Sequence, residues 1–184
     1  MNKDRVDKIL VEAGLAPTRS QALLLIDEGV VFYQNKKIEK ASQQVTSEGL
    51  EVRKDILYVS RGAHKIECAL EKFTVDVKDK IIADVGASTG GFTDYILHQG
   101  ATKVYCLDVG HDQLAESLKN DPRVENHEGV NIKFPFELSE LVDIAVVDLS
   151  FISLKLVLKN IFNLVKPNGV IVALVKPQFE VGRD

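Results

Sequence analysis

Apolar positions recur at two different periods along the chain, and the change falls near residue 60. In the first stretch Val6, Ile9, Leu10 and Ala13 stand at helical spacing, and Gly14 follows as a stop. Pro17-Thr18-Arg19-Ser20-Gln21 opens a second helix, with Thr18 as its cap and Gln21 completing a capping box. Leu25 and Ile26 face inward, and Gly29 ends that helix. Val30-Val31-Phe32-Tyr33 predicts a short strand, and Gln34-Asn35-Lys36-Lys37 a turn in which Asn35 takes a positive φ. Val45 and the alternating Leu50-Glu51-Val52-Arg53 predict further short strands. Residues 1–57 thus read as a small α+β module.

A joint is expected over residues 58–64, at Tyr58-Val59-Ser60-Arg61-Gly62-Ala63, and a second unit over 65–184. Ile66, Ala69, Leu70 and Phe73 make one helical face. Apolar runs at Ile81–Val85, Val104–Leu107, Ile144–Val147 and Val170–Val175 then alternate with helical segments near Phe92–His98, Gln113–Lys119 and Leu154–Val165. A weaker strand candidate lies near Arg123-Val124-Glu125. Continuous apolar strands with helical crossovers predict an α/β unit with a doubly wound, Rossmann-like parallel sheet covered on both faces. The apolar fifth strand, Val170–Val175, would lie unpaired at the sheet edge, which is an association hazard.

Composition narrows the class. With 45% hydrophobic and 27% charged residues in 184, the chain can bury a core, and disorder is excluded. The net charge of −4 excludes a uniformly basic coat for nucleic acid, but charge is unevenly placed. Residues 1–65 carry 11 Lys and Arg against 9 Asp and Glu, whereas the remainder carries 12 against 18. Cys68 and Cys106 have no CxxC spacing and no paired His, so neither a disulfide framework nor a metal site is expected. No apolar run approaches the roughly 20 residues that span a bilayer. The charged N-terminus lacks the apolar centre of a signal peptide, so a cytoplasmic location is expected.

The first strand of the second unit runs into Gly86-Ala87-Ser88-Thr89-Gly90-Gly91 and then a helix at Phe92, the place where a doubly wound sheet binds ligands. The dinucleotide fingerprint is unmet, because Ser88 stands where the second glycine admits a pyrophosphate. Gly86-x-Ser88-x-Gly90 matches a hydrolase nucleophile elbow, yet His98, His111 and His127 are the bases on offer and none follows a late strand. A nucleoside cofactor without phosphates, S-adenosylmethionine, needs close backbone approach and no pyrophosphate seat. Asp108, at the tip of the next strand, can accept both ribose hydroxyls, although a strand-end turn residue would look the same.

Asp148 and Lys176 end the fourth and fifth predicted strands, and Lys65 lies at the start of the preceding helix, where a cation is misplaced by roughly 0.3–1 kcal/mol. At one rim the three would suit proton removal from a weakly acidic hydroxyl, a lysine crowded by a second cation acting as base. Methyl transfer to a hydroxyl is mainly in-line positioning, so modest base help suffices.

Four segments carry a resemblance. They are Tyr58–Lys65, Asp84–Asp94, Asp148-Leu149-Ser150-Phe151-Ile152-Ser153-Leu154 and Leu174-Val175-Lys176-Pro177-Gln178-Phe179-Glu180. Together they resemble the TlyA family, haemolysin A-like ribosomal-RNA 2′-O-methyltransferases with an S4 module ahead of an FtsJ-like domain. The resemblance implies methyl transfer from S-adenosylmethionine to a ribose 2′-hydroxyl of ribosomal RNA, free or in subunits. It implies catalytic Lys65, Asp148 and Lys176 from a Lys-Asp-Lys-Glu tetrad. Asp84, Gly86, Ala87, Ser88, Gly90, Gly91, Phe92, Asp108 and Asn131 would hold the cofactor, and Arg5, Arg19, Ser20, Lys36, Lys37 and Arg61 the RNA. The family's glutamate lies beyond the Lys176 motif, and this chain stops at Gly182-Arg183-Asp184. The sheet is therefore expected to be truncated after its fifth strand, with poor turnover and self-association through that edge. A non-catalytic RNA- or ribosome-binding protein is the alternative. A membrane-active haemolysin would need a long apolar segment or basic amphipathic helix, and neither is present in the sequence.

Overall fold

The computed structural model describes residues 3–53 and 58–181, and the chain divides into two compact units, Met1–Ser60 and Arg61–Asp184. The boundary drawn at residue 57 and the terminal Gly182-Arg183-Asp184 lie outside the described residues.

The first unit runs β1 (Asp4–Arg5), α1 (Val6–Glu12), α2 (Arg19–Glu28), β2 (Val31–Tyr33), β3 (Lys36–Lys37), β4 (Gln44–Val45) and β5 (Leu50–Val52). Helix α2 starts as its sequence predicts, the Gln21 amide donating to Thr18 Oγ1 at 3.2 Å, and ends on Gly29 in the left-handed region. Strands β3, β2 and β5 form one antiparallel sheet, and β1 pairs with β4. The turn is tighter than expected. Gln34 and Asn35 both have positive φ, 48° and 65°, and Tyr33 pairs with Lys36. That is a two-residue hairpin loop with the twist such loops favour, so Lys36 and Lys37 are strand residues. Val6, Leu10, Ala22, Leu25, Val31, Ile38 and Val45 form the core.

Asp7 is buried at the start of α1, yet it is charged. Arg5 Nε donates to Oδ1 at 3.0 Å, and Arg19 Nη2 to Oδ2 at 2.7 Å. The Arg5 bonds chiefly, then those of Arg19, outweigh burial and hold the Asp7 carboxyl at about 2. Two of the proposed phosphate-binding arginines therefore tie the two helices through one carboxylate. Since the folded value lies below the ordinary 3.8, this stabilisation is complete above pH 4 and lost as pH falls through about 2. Asp7→Asn should cost about 1–2 kcal/mol in urea unfolding at neutral pH. The gap to wild type should close between pH 4 and pH 2, and a gap independent of pH would refute the ion-pair origin.

The second unit runs α3 (Gly62–Phe73), β6 (Ile81–Val85), α4 (Gly91–His98), β7 (Lys103–Asp108), α5 (Glu116–Lys119), β8 (Val124–Glu128) and β9 (Val142–Val147). A 3₁₀ turn (Leu154–Leu156), α6 (Leu158–Phe162), β10 (Val165–Ala173) and α7 (Pro177–Glu180) follow. The sheet order β8-β7-β6-β9-β10 is parallel throughout, and its sense reverses beside β6. That is the doubly wound order, with its switch point between β6 and β9. Ile82, Ala83, Val104, Tyr105, Ala145 and Val146 are wholly buried, as continuous apolar strands require.

Several expectations shift. Gly62–His64 belong to α3, so the joint is shorter than 58–64. The segment Leu154–Val165 splits into the 3₁₀ turn and α6, and Val165 already belongs to β10. Strand β10 ends at Ala173, leaving Val175 exposed and Lys176 three residues past the strand. Phe73 keeps its helical spacing but is 71% exposed, because α3 turns only Ala63, Ile66 and Leu70 fully inward. Among the described residues no helix is long and apolar enough to cross a membrane.

Candidate active site

Three left-handed residues build the turn out of β6. Gly86, Ser88 and Gly90 have φ of 89°, 48° and 92°. A Cβ on Gly86 would lie 2.6 Å from the Asp148 carbonyl oxygen, so the loop passes against the end of β9. Ser88 adopts a backbone that glycine takes freely and a side chain resists. Its amide donates to Asp108 Oδ2 at 2.8 Å, and its hydroxyl to Gln113 Oε1 at 3.1 Å. Ser88 thus takes a left-handed backbone yet keeps a side chain where the dinucleotide fingerprint has its second glycine. Its hydroxyl partner is an amide oxygen, which cannot take a proton, so the nucleophile-elbow reading lacks its base.

Beyond the carboxyl ends of β6, β7 and β9 lies a cavity of about 550 Å³. Gly86, Ser88, Asp108, Asn131 and Asp148 line it. Val109, Val130, Ile132 and Ile152 supply apolar wall, and no cationic side chain is among its lining residues. Asp108 Oδ1 also accepts from the Gly110 amide at 2.7 Å, so its carboxylate braces the loops on both sides. Of the other predicted cofactor residues, Ala87, Gly90, Gly91 and Phe92 are buried in the turn and the start of α4 and do not line the cavity. Phe92 instead borders a small apolar cleft with Phe73 and Val172. Asp84 lies beneath the loop, its Oδ2 accepting from the Thr93 amide at 3.1 Å and hydroxyl at 2.7 Å.

Lys65, Asp148 and Lys176 converge. Lys65 Nζ donates to Asp148 Oδ2 at 3.1 Å, and Lys176 Nζ lies 2.6 Å from Oδ1. Burial opposes the Asp148 charge, but hydrogen bonds from Lys176 and Lys65 overcome it and hold the carboxyl below its ordinary value. Lys65 sits in the first turn of α3 and is half exposed, whereas Lys176 is only 19% exposed. The sequence reading did not find Ser150, whose Oγ accepts from Lys176 Nζ at 2.7 Å. It also missed Gln113, and Phe151, an exposed aromatic on the cavity wall with φ of 65°. Their signal was position, since Ser150 and Phe151 directly follow the fourth strand's carboxyl end. Glu180 caps the 3₁₀ turn, accepting from Ser153 Oγ at 2.6 Å and the Leu154 amide at 2.8 Å.

In the first unit Ser20, Lys36 and Lys37 are exposed, whereas Arg5 and Arg19 share Asp7. Arg61 belongs to the second unit and immediately precedes α3.

The FtsJ-like methyltransferase profile matches residues 58–184. The chain belongs to this family. Residues 4–52 match the S4 domain. The 16S/23S rRNA (cytidine-2′-O)-methyltransferase TlyA of Mycobacterium tuberculosis is 46% identical, over 97% of this chain and 69% of its own length. Hemolysin A of Brachyspira hyodysenteriae is 42% identical, over 97% and 76%. A solved structure from Streptococcus thermophilus, described as a hemolysin, superposes with a TM-score of 0.69 at 40% identity, covering all of this chain and 69% of that one. The TlyA resemblance of the four motifs thus extends over almost the whole sequence. The chain spans about two thirds of the length of its curated relatives, 66% and 69% for two of them.

The close approach at the switch point sets one expectation for this FtsJ-like fold. Gly86→Ala combines a left-handed φ with a backbone clash, and should cost about 2–3 kcal/mol. Thermal unfolding checks it, and a variant as stable as wild type would refute the contact.

Proposed function

We propose that the chain carries out S-adenosylmethionine-dependent methyl transfer to a ribose 2′-hydroxyl of ribosomal RNA; the name of the Mycobacterium tuberculosis relative describes rRNA 2′-O-methylation for that protein. The observation that carries this reading is the Lys65–Asp148–Lys176 cluster beside an acidic cavity at the switch point. The cavity fits the cofactor. Its apolar walls suit an adenine, and Asp108 keeps lone pairs free for ribose hydroxyls beyond its two amide bonds. Asp108 meets backbone amides and no lysine or arginine lines the wall, which favours a positively charged ligand and disfavours a pyrophosphate. When bound, S-adenosylmethionine supplies a methyl group activated on a sulfonium.

Lys176, fixed by Asp148 and Ser150 as an ammonium, orients the 2′-hydroxyl for in-line attack, and the proton that the hydroxyl sheds as the new oxygen–methyl bond forms passes to water. Lys65 occupies the second oxygen of Asp148 and keeps that carboxylate from rotating away. In the first unit, exposed Lys36 and Lys37 on the β2–β3 hairpin meet RNA phosphates, while Arg19, 58% exposed, reaches solvent from the rigid platform that Asp7 provides.

Transfer of labelled methyl groups to ribosomal subunits tests the reading. Lys176→Ala should slow transfer roughly 100-fold with S-adenosylhomocysteine affinity unchanged, and wild-type transfer would remove its role. Asp108→Ala should weaken the cofactor by about 1–3 kcal/mol in calorimetry, and binding of NAD in its place would overturn the assignment. Reversing the charges of Lys36 and Lys37 to Glu should flatten the salt dependence of RNA binding by about 1–2 in log–log slope. An unchanged slope would move the RNA contact elsewhere.

A further inference from the structure

Asp84 is unlike the other acids of the site. It is 1% exposed at the end of the central strand β6. Both donors it meets come from Thr93, in the first turn of α4, and both reach Oδ2. The Thr93 amide is one of the donors that a helix start leaves unpaired, so Asp84 caps α4 from the preceding strand and clamps the ends of the glycine loop together. The second oxygen, Oδ1, is buried with no hydrogen-bond partner among the described residues. A buried carboxylate with one bare oxygen is costly.

Its electrostatic surroundings add to that cost. Asp84 is in register with Cys106 and Val146, so Asp108 and Asp148 stand two residues beyond its partners on either side, and both line the cavity. From β7 the Cys106 thiol is also near, its Sγ 3.1 Å from Thr93 Oγ1, and burial first and Asp84 second push that thiol upward, keeping it neutral. On α4, Asp94 is paired with His98 at 3.2 Å. Lys65 and Lys176 are held by Asp148.

We propose that Asp84 is a positioning residue whose ionisation is coupled to the cofactor, so that a cationic ligand entering the cavity expels a proton from beneath the glycine loop. The inference rests on the cofactor reading above. A cation placed beside Asp108 and Asp148 offsets the two charges that Asp84 feels, and this favours its carboxylate. The carboxylate in turn holds Thr93 more strongly, because charge-assisted hydrogen bonds exceed neutral ones. Ligand and ionised Asp84 therefore stabilise each other, and by linkage each raises the other's population.

The starting point is supported by the same contacts. Burial foremost, resisted by the Thr93 bonds and joined by Asp148 and Asp108, pushes Asp84 up to about 7. Because this folded value lies above the ordinary 3.8, Asp84 contributes most below pH 4, and that contribution is lost as pH rises through about 7.

Calorimetry of S-adenosylmethionine binding to the whole chain from pH 6 to pH 8, in buffers of different ionisation enthalpy, tests the coupling. The ligand's own amine titrates near 7.7–8.0, so the readout is the difference between wild type and Asp84→Asn. Wild-type affinity should rise about fivefold more than that of Asp84→Asn over this range, which covers part of the tenfold that a shift of one pKa unit gives in full. Net proton release near pH 7 should be greater in wild type than in the variant. Thr93→Val removes a bond that favours the carboxylate, and should move the midpoint to higher pH. Equal pH dependence in wild type and Asp84→Asn overturns the proposal and leaves the cofactor reading intact. If Asp84→Asn does not fold, an unmoved midpoint in Thr93→Val overturns it. Failure of wild type to bind S-adenosylmethionine at every pH overturns both.

Discussion

Gly86 leaves β6 with a left-handed backbone and passes so close to the end of β9 that a side chain would meet the Asp148 carbonyl. Much of the candidate site depends on that approach. It brings the glycine loop against the residues that follow β9, beside the Lys65–Asp148–Lys176 cluster at the switch point of the sheet. Ser88 extends the same path in a conformation that costs a side-chain residue of order 1 kcal/mol, offset by the Asp108 clamp on its amide.

Three aspartates stand at the carboxyl ends of three neighbouring strands, and their neighbours give them three different jobs. Asp148 is surrounded by ammonium groups and stays charged as a holder of cations. Asp108 is braced by backbone amides and faces the cavity, as a recogniser of hydroxyls would. Asp84 is buried against a threonine and is the one whose charge is precarious. Identical side chains diverge here through burial and partners alone.

The first unit applies similar chemistry to a different end. Asp7 is as buried as Asp84, but two guanidiniums reach it, so its charge is secure and ties α1 to α2. Arg5 and Arg19 consequently have a structural task besides any contact with RNA. Lys36 and Lys37, extended on a tight hairpin, carry charge that faces solvent.

Sequence alone determined the fold class. Apolar strands alternating with helices can be buried only in a covered parallel sheet, and five strands formed close to where the runs lie. It also located the glycine turn and the trio, because polar residues directly after apolar strands collect at one sheet edge. Tertiary structure decided what pairing and burial govern. Gln34 takes a positive φ to match the twist of its hairpin, Phe73 faces outward, and Ser150 reaches Lys176 from a different loop. Which cofactor-motif residues reach the cavity, and which lie beneath it, followed from the path of the chain through Gly86 and Gly90. The division of labour among Asp84, Asp108 and Asp148 likewise required three dimensions, because a carboxylate's charge is set by what surrounds it in space and not by its neighbours in sequence.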